Sequence, residues 1–335
     1  MTGSRLAQAL GQGGPALPED GRIAVFAPTT ETDLSPLPRE LCHVISGFRP
    51  DHDHFAALGY ACSVRPEGRY AAALVCLPRA KDQARALVAR AAADTDGPVI
   101  VDGPKTLGIE SVLRDCRRRV DVEGPVSKAH GKLFWFAADA GAFVDWLPDE
   151  AGTVVDGFHT RPGVFSADGI DPASRLLADS LPRRLGARIA DLGAGWGYLS
   201  SRVLEGRPEV EVLHLVEAEH AALDCARRNV LDARARFHWE DATRWRPDAP
   251  LDTVITNPPF HKQRGADPEI GKTFIAAAAG MLRPGGTLWV VANRHLPYEA
   301  AMTALFPGTT ESAGNSRFKV LRGVRPSRGR SRTRG

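Results

Sequence analysis

In the second half of the chain, short apolar runs alternate with stretches of helical spacing. Arg188-Ile189-Ala190-Asp191 reads as a short buried strand that runs into a glycine loop. A helix is expected from Tyr198 to Glu205, a strand from Val210 to Glu217 and a helix from Glu219 to Leu231. Further strands are expected at Phe237 to Glu240 and Thr253 to Thr256. The helix from Ile270 to Leu282 should stop at Arg283-Pro284-Gly285-Gly286, a strong turn signal. A strand from Thr287 to Ala292, a helix from Pro297 to Phe306 and a last strand or hairpin over Arg317 to Val324 complete the series. Strands alternating with helices predict a parallel, doubly wound sheet with helices on both faces.

The first half repeats the rhythm more weakly. Strands are expected at Ile23 to Phe26, His43 to Ser46, Ala72 to Leu77, Pro98 to Val101 and Lys132 to Ala137. Helices are expected at Asp82 to Ala93 and Leu107 to Arg118. The pattern suggests a duplicated α/β domain. However, Ile23-Ala24-Val25-Phe26 runs into Ala27-Pro28-Thr29-Thr30 with no glycine loop. Turn residues over Leu147 to Gly152 place the boundary there, giving domains 1–150 and 151–325 and a basic tail, 326–335.

Composition changes this picture little. The 335 residues are 43% apolar and 25% charged, the balance of a soluble globular protein of two ordinary domains. No apolar run approaches the roughly 20 residues needed to span a membrane. Met1 to Glu19 lacks the basic end and apolar core of a secretory signal, and its Gly/Pro/Ala content suggests a loose arm. Five scattered cysteines without a CxxC pair point to reduced thiols in a cytoplasmic protein and away from a zinc site. The net charge of +3 conceals an asymmetry, because Arg317 to Gly335 carries eight Lys/Arg and no acid. Such a segment either follows a phosphate backbone or serves as a disordered solubilising end.

The candidate chemistry lies at the ends of the second-half strands. Asn257-Pro258-Pro259-Phe260 follows Val254-Ile255-Thr256. Two prolines cannot continue a sheet ladder, and each fixes its own φ. The resulting stiff loop offers a side-chain amide, a free backbone carbonyl and an aromatic ring. Hydrogen bonds from an exocyclic NH2 to the Asn257 oxygen and the Pro258 carbonyl would disfavour conjugation of the amine lone pair and aim it at a second reactant. Phe260 would stack on the base. His261 is either a proton acceptor or a polar loop residue.

Asp191-Leu192-Gly193-Ala194-Gly195-Trp196-Gly197 lies where a strand meets a helix. The dinucleotide fingerprint fails, because its third glycine would fall at Tyr198. Instead the spacing D-x-G-x-G-x-G resembles motif I of the class I S-adenosylmethionine-dependent methyltransferases. Glu217 ends the next strand, where a carboxylate can hold two ribose hydroxyls, and Glu240-Asp241-Ala242 ends the third. The order of these four sets at consecutive strand ends carries the specificity, since open α/β sheets bind ligands there.

Three further segments narrow the resemblance: Pro162-Gly163-Val164-Phe165-Ser166-Ala167-Asp168-Gly169-Ile170-Asp171, Val290 to Tyr298, and Arg317-Phe318-Lys319-Val320. With them, residues 155–325 resemble the ribosomal RNA guanine-N2 methyltransferases of the RsmC/RlmG type. That resemblance implies two tandem doubly wound, Rossmann-like methyltransferase domains, the first degenerate and serving as an RNA dock or structural support. It implies S-adenosyl-L-methionine as cofactor, with Phe165 and Ser166 over it. Asp191, Gly193, Gly195 and Gly197 would lie at its methionine end, Glu217 with Ala218 at the ribose, and Asp241 with Ala242 at the adenine. Asn257, Pro258 and Phe260 would be catalytic, Asn257 also touching the cofactor, with no metal. The expected partner is ribosomal RNA or a ribosomal subunit, small-subunit RNA first, acted on by a cytoplasmic monomer. Asn-Pro-Pro-Phe alone also fits an adenine N6 or a protein glutamine amide as acceptor. An inactive RNA-binding assembly factor is the alternative from another class.

Overall fold

The computed structural model describes residues 4–149, 152–259, 261–262, 265–266 and 268–326. The chain divides into two compact units, Met1–Gly152 and Thr153–Gly335.

The first unit holds β1 (Ile23–Phe26), β2 (Cys42–Ile45), β3 (Ala61–Ser63), β4 (Ala72–Cys76), β5 (Pro98–Pro104), β6 (Glu123–Lys128) and β7 (Gly131–Ala137) in the order β3-β2-β1-β4-β5-β7-β6. Its helices are α1 (Arg5–Gly11), α2 (Arg49–Ala57), α3 (Lys81–Asp94) and α4 (Ile109–Cys116). The strands are apolar on both faces because the sheet is covered on both. Ala24 and Phe26 pack with Val88 of α3 and Ile109 of α4, whereas Ile23 and Val25 pack with Leu6 of α1 and Phe55 of α2. The loose arm expected over Met1 to Glu19 is corrected by α1: Ser4 caps it, Leu6 and Ala9 are buried, and Arg5 pairs with Asp102 at 2.6 Å. Arg5 to Leu10 are strong helix formers, and burial of two side chains and a two-pronged ion pair hold the short helix although Gly/Pro-rich chain follows it.

The second unit opens with a hairpin of β8 (Thr153–Val155) and β9 (Phe158–Thr160), then α5 (Pro172–Ser180). Its main strands are β10 (Arg188–Leu192), β11 (Val212–Glu217), β12 (Ala235–Trp239) and β13 (Leu251–Thr256). After the two-residue pair β14 (His261–Lys262) and β15 (Gly265–Ala266) come β16 (Leu282–Asn293), β17 (Thr310–Gly314) and β18 (Phe318–Val324). The sheet order is β12-β11-β10-β13-β16-β18-β17, the same permutation as in the first unit. Helices α6 (Tyr198–Leu204) and α7 (His220–Asn229) share one face with α5, and α8 (Pro268–Met281) and α9 (Tyr298–Leu305) cover the other.

Two expectations change. The sheets are mixed rather than parallel: β18 runs antiparallel to both β16 and β17, as β7 does to β5 and β6. A hairpin needs no crossover helix, so the last two strands of each unit add to the edge directly. The turn at Arg283-Pro284-Gly285-Gly286 also sits inside β16, as an irregularity between the pairs Leu251–Leu282 and Thr253–Thr287.

The permutation places β10 between β11 and β13, the point where the chain's direction across the sheet reverses. Ligands of open α/β sheets bind at the carboxyl ends of the strands there. Register fixes what arrives at that edge: Leu192 pairs with Val216 and Thr256, and Val216 with His238. The residues that follow, Gly193, Glu217 and Asn257, therefore stand side by side.

Candidate active site

The glycine loop is held by its neighbours. The Gly193 amide donates to the Val216 carbonyl at 2.9 Å, and the Gly195 amide to Glu217 Oε2 at 2.8 Å. Glu217 Oε1 accepts from the Glu219 amide at 2.7 Å. A carboxylate offers about four lone-pair sites, so the group keeps accepting capacity for a hydroxyl ligand. Burial pushes the Glu217 carboxyl above its usual range, against the pull of these amides.

The three glycines differ in purpose. Gly195 has φ +56°, and a Cβ there would meet nothing within 4 Å, so open space lies beside its backbone. Gly197 caps α6 at φ +92°, and a Cβ would come within 2.9 Å of Val230 Cγ2 and 3.3 Å of Ala226 Cβ. Gly197 thus serves the packing of α6 on α7, whereas Gly195 leaves room for a ligand. Gly193, at φ +75°, makes only ordinary contact with Phe274.

Asp191 is fully buried in β10. Its Oδ2 accepts from Ser200 Oγ at 2.8 Å, and its Oδ1 has no partner among the described residues. Burial pushes this carboxyl up to about 7, with a smaller upward push from Glu217 and a downward pull from Ser200. An unsatisfied buried acceptor beside an open glycine backbone suits a ligand that carries N–H donors or positive charge.

The bulk of Trp196 and Tyr198 is absorbed by the hairpin. The Trp196 and Phe158 ring centroids are 5.0 Å apart, and those of Tyr198 and Phe158 5.8 Å. Asn229 at the end of α7 ties the pieces together: its Nδ2 donates to the carbonyls of His159 and Trp196, and its Oδ1 accepts from the His159 amide. Trp196 Nε1 donates to the Phe165 carbonyl at 3.0 Å, which pins the Phe165-Ser166 turn to the glycine loop. Ser166 closes that turn at φ +53°, its hydroxyl donating to the Gly169 carbonyl. The Phe165 side chain is 55% exposed, so its ring is available to cover a ligand.

Further along the edge, Asp241 Oδ1 accepts from the amide and hydroxyl of Thr243, capping the turn that follows β12. Ala242 buries its side chain with Val216 and Leu192, so only its backbone can serve a ligand. The Ala218 carbonyl accepts a hydrogen bond from Trp239 Nε1 at 2.9 Å. On β13, Thr256 Oγ1 donates to the Leu192 carbonyl at 2.7 Å, fastening the Asn257 strand to the glycine strand. Pro258 is buried and Pro259 exposed. Phe260 lies outside the described residues. Lys319, on the expected last strand, is buried although it counts among the basic residues of Arg317 to Gly335: its Nζ donates to the carbonyls of Arg294 and Leu296 and pairs with Glu299 at 2.5 Å.

The first unit has other residues at the corresponding places. By strand order and register Val25 stands where Asp191 does, Ala27 for Gly193, Ser46 for Glu217 and Cys76 for Asn257. Ala27 keeps the left-handed backbone, φ +50°, and its amide donates to the Ile45 carbonyl as that of Gly193 does to Val216. The geometry persists there without the acids.

Residues 156–322 match the methyltransferase small domain family. The second unit is a methyltransferase small domain. Proteins called ribosomal RNA large subunit methyltransferase G resemble this chain. That of Streptomyces avermitilis is 38% identical over 184 residues, 53% of this chain and 48% of the relative. That of Shewanella loihica is 33% identical over 197 residues, 54% and 49%. The chain therefore matches about half the length of these curated relatives. A Thermus thermophilus 16S rRNA N2 G1207 methyltransferase, solved with AdoMet and guanosine, aligns over 97% of this chain and 92% of its own at TM-score 0.76 and 23% identity, which shows a common fold through both units.

Three contributors to this methyltransferase domain escape the sequence reading. Ser200 holds Asp191, and Asp171 and Ser174 hold Asn257 (Nδ2 to Asp171 Oδ2 at 3.0 Å and to Ser174 Oγ at 2.9 Å). Asp171-Pro172 was a readable signal: an N-cap residue followed by proline at the first helical position begins α5.

Proposed function

We propose that this chain transfers a methyl group from S-adenosylmethionine to the exocyclic N2 amine of a guanine in ribosomal RNA. The observation that carries the reading is the meeting of Asn257-Pro258 with the Gly193–Gly195 loop at one strand edge, tied by the Thr256–Leu192 hydrogen bond. The open backbone at Gly195, the unpartnered Asp191 Oδ1 and the Glu217 carboxylate fit that cofactor. Bound there, it supplies a methyl electrophilic enough for in-line displacement. Asp191, Gly193, Gly195 and Glu217 hold and orient, Phe165 and Ser166 cover, and the backbones of Ala218, Asp241 and Ala242 continue the edge. Gly197 acts from beneath, through α7.

The acceptor amine donates its two N–H groups to the Asn257 oxygen and the Pro258 carbonyl. Both acceptors are neutral and set in advance by the prolines, so little reorganisation is needed at the moment of transfer. A paired base must first leave its stack.

Nucleoside mass spectrometry of ribosomal RNA from a deletion strain tests the reading. Loss of N2-methylguanosine is expected, and mapping the site assigns the subunit, since the curated relatives are named for the large subunit and the solved structure for 16S RNA. Loss of N6-methyladenosine instead, or of no RNA modification, would refute it.

The reading includes a monomer acting in the cytoplasm, with the first unit docking RNA. The replacement of Asp191, Glu217 and Asn257 by Val25, Ser46 and Cys76 in that unit supports a non-catalytic task. RNA crosslinks confined to 153–335 would remove the docking role, and light scattering checks the monomer.

A further inference from the structure

The side chain of Asn257 is held in one of its two amide orientations. Its Nδ2 donates to Asp171 Oδ2 at 3.0 Å and to Ser174 Oγ at 2.9 Å, which uses both of its hydrogens. The same Asp171 oxygen accepts from the Ser174 amide at 2.7 Å, so the helix cap of α5 and the amide clamp are one device. A carboxylate has nothing to donate. Were the carboxamide flipped, Asn257 Oδ1 would face Asp171 Oδ2, acceptor against acceptor. In the orientation held, Oδ1 points away from the pair.

We infer that Asp171 and Ser174 are positioning residues that keep the Asn257 oxygen, rather than its NH2, toward the acceptor amine. The inference rests on the methyl-transfer reading, in which the incoming amine is a donor. A carboxamide free to turn would present donor to donor for part of the time and lose the alignment that transfer requires. Neither residue acts on the amine directly; both act through Asn257.

The experiment uses the full chain and separates clamp from cap. Asp171→Ser keeps an N-cap oxygen but is too short to reach Asn257. Combined with Ser174→Ala, it frees the carboxamide. In Asp171→Asn the oxygen stays turned inward to cap Ser174 and still accepts from Asn257. Methyl incorporation into ribosomal RNA should fall about ten- to a hundredfold in kcat for the Asp171→Ser/Ser174→Ala variant, with cofactor affinity by calorimetry unchanged. Asp171→Asn should recover most of the loss of Asp171→Ser. The decisive arm is the Asn257→Asp background, where both carboxylate oxygens accept and orientation no longer matters. There the double substitution should cost nothing, or raise turnover by removing a like charge. An equal fold loss in both backgrounds would mean a merely structural role and overturn the inference, as would a double variant within about threefold of wild type.

A second readout is independent of the acceptor. The chain has four asparagines, so selective 15N labelling gives four side-chain amide pairs, and Asn257→Asp identifies one of them. That pair should be protected from solvent exchange in the wild type and lose protection in the double variant. Unchanged protection overturns the clamp even if the RNA substrate has been misassigned. Loss of protection with no transfer by the wild type would instead sink the methyl-transfer reading.

Discussion

The backbone amide of Gly195 and the carboxylate of Glu217 are joined by a 2.8 Å hydrogen bond that links the loop after β10 to the end of β11. The acid that can hold a ligand's hydroxyls therefore also shapes the loop beside them. On the proposed reading Glu217→Ala should weaken S-adenosylmethionine binding about a hundredfold or more, since it would remove a ligand contact together with the anchors of two amides. Glu217→Gln, keeping one acceptor oxygen, should fall between. Calorimetry giving equal affinities for Gln and Ala variants would count against this double duty.

Gly195 and Gly197 should fail differently. Gly195→Ala adds a Cβ in open space and costs about 1–2 kcal/mol of left-handed backbone strain, while the ligand's room is lost. Gly197→Ala bears the same strain and also collides with Val230. Melting should therefore report the larger loss for Gly197→Ala, and cofactor titration the larger loss for Gly195→Ala. The reverse ranking in either assay would reject the division of roles.

Asp191 makes stability depend on pH with a definite sign. Its carboxyl titrates at about 7 folded and near 3.8 unfolded, so between these values the folded state holds a proton that the unfolded state has released. Stability from this group is fullest below 3.8 and declines as pH rises to 7. Asp191→Asn should match the wild type near pH 4, exceed it above pH 7, and bind the cofactor poorly. Identical melting profiles for the two proteins across that range would disprove the shift.

His214 acts in the opposite sense. It is buried on β11, its Nδ1 is 3.0 Å from His238 Nε2, and both rings pack on Trp245. Burial, with His238 beside it, pushes His214 down to about 4 from 6.5. The stability it contributes is complete above pH 6.5 and lost as pH falls toward 4. His214→Phe keeps a ring and removes the charge. It should be less stable at pH 7 by about 1 kcal/mol, for the lost hydrogen bond, with the gap closing toward pH 4. A gap that stays constant would refute this.

Much of the site was legible because its chemistry lies at strand ends, and strands of continuous apolar residues punctuated by glycine or proline are readable one segment at a time. Ile23–Phe26 of β1 and the C-terminal residue Glu217 of β11 were read without error. Helix α5 was not read, and with it went Asp171 and Ser174, because its nine residues carry only two large apolar side chains, Leu176 and Leu177, too short a run to stand out along the chain. Helix α1 was missed for a related reason: Arg5 finds its partner Asp102 only across 97 residues.

By itself the sequence determined which residue types stand after which strands, since local periodicity and turn chemistry are properties of neighbours along the chain. It thereby determined that Asp191, Gly195, Glu217 and Asn257 belong to one edge of one sheet. Only the tertiary structure decided which glycine faces open space and which faces Val230, and which way the Asn257 carboxamide points. Those questions turn on atoms brought together from 33 to 86 residues apart, where packing and hydrogen-bond complementarity choose between arrangements of equal local energy.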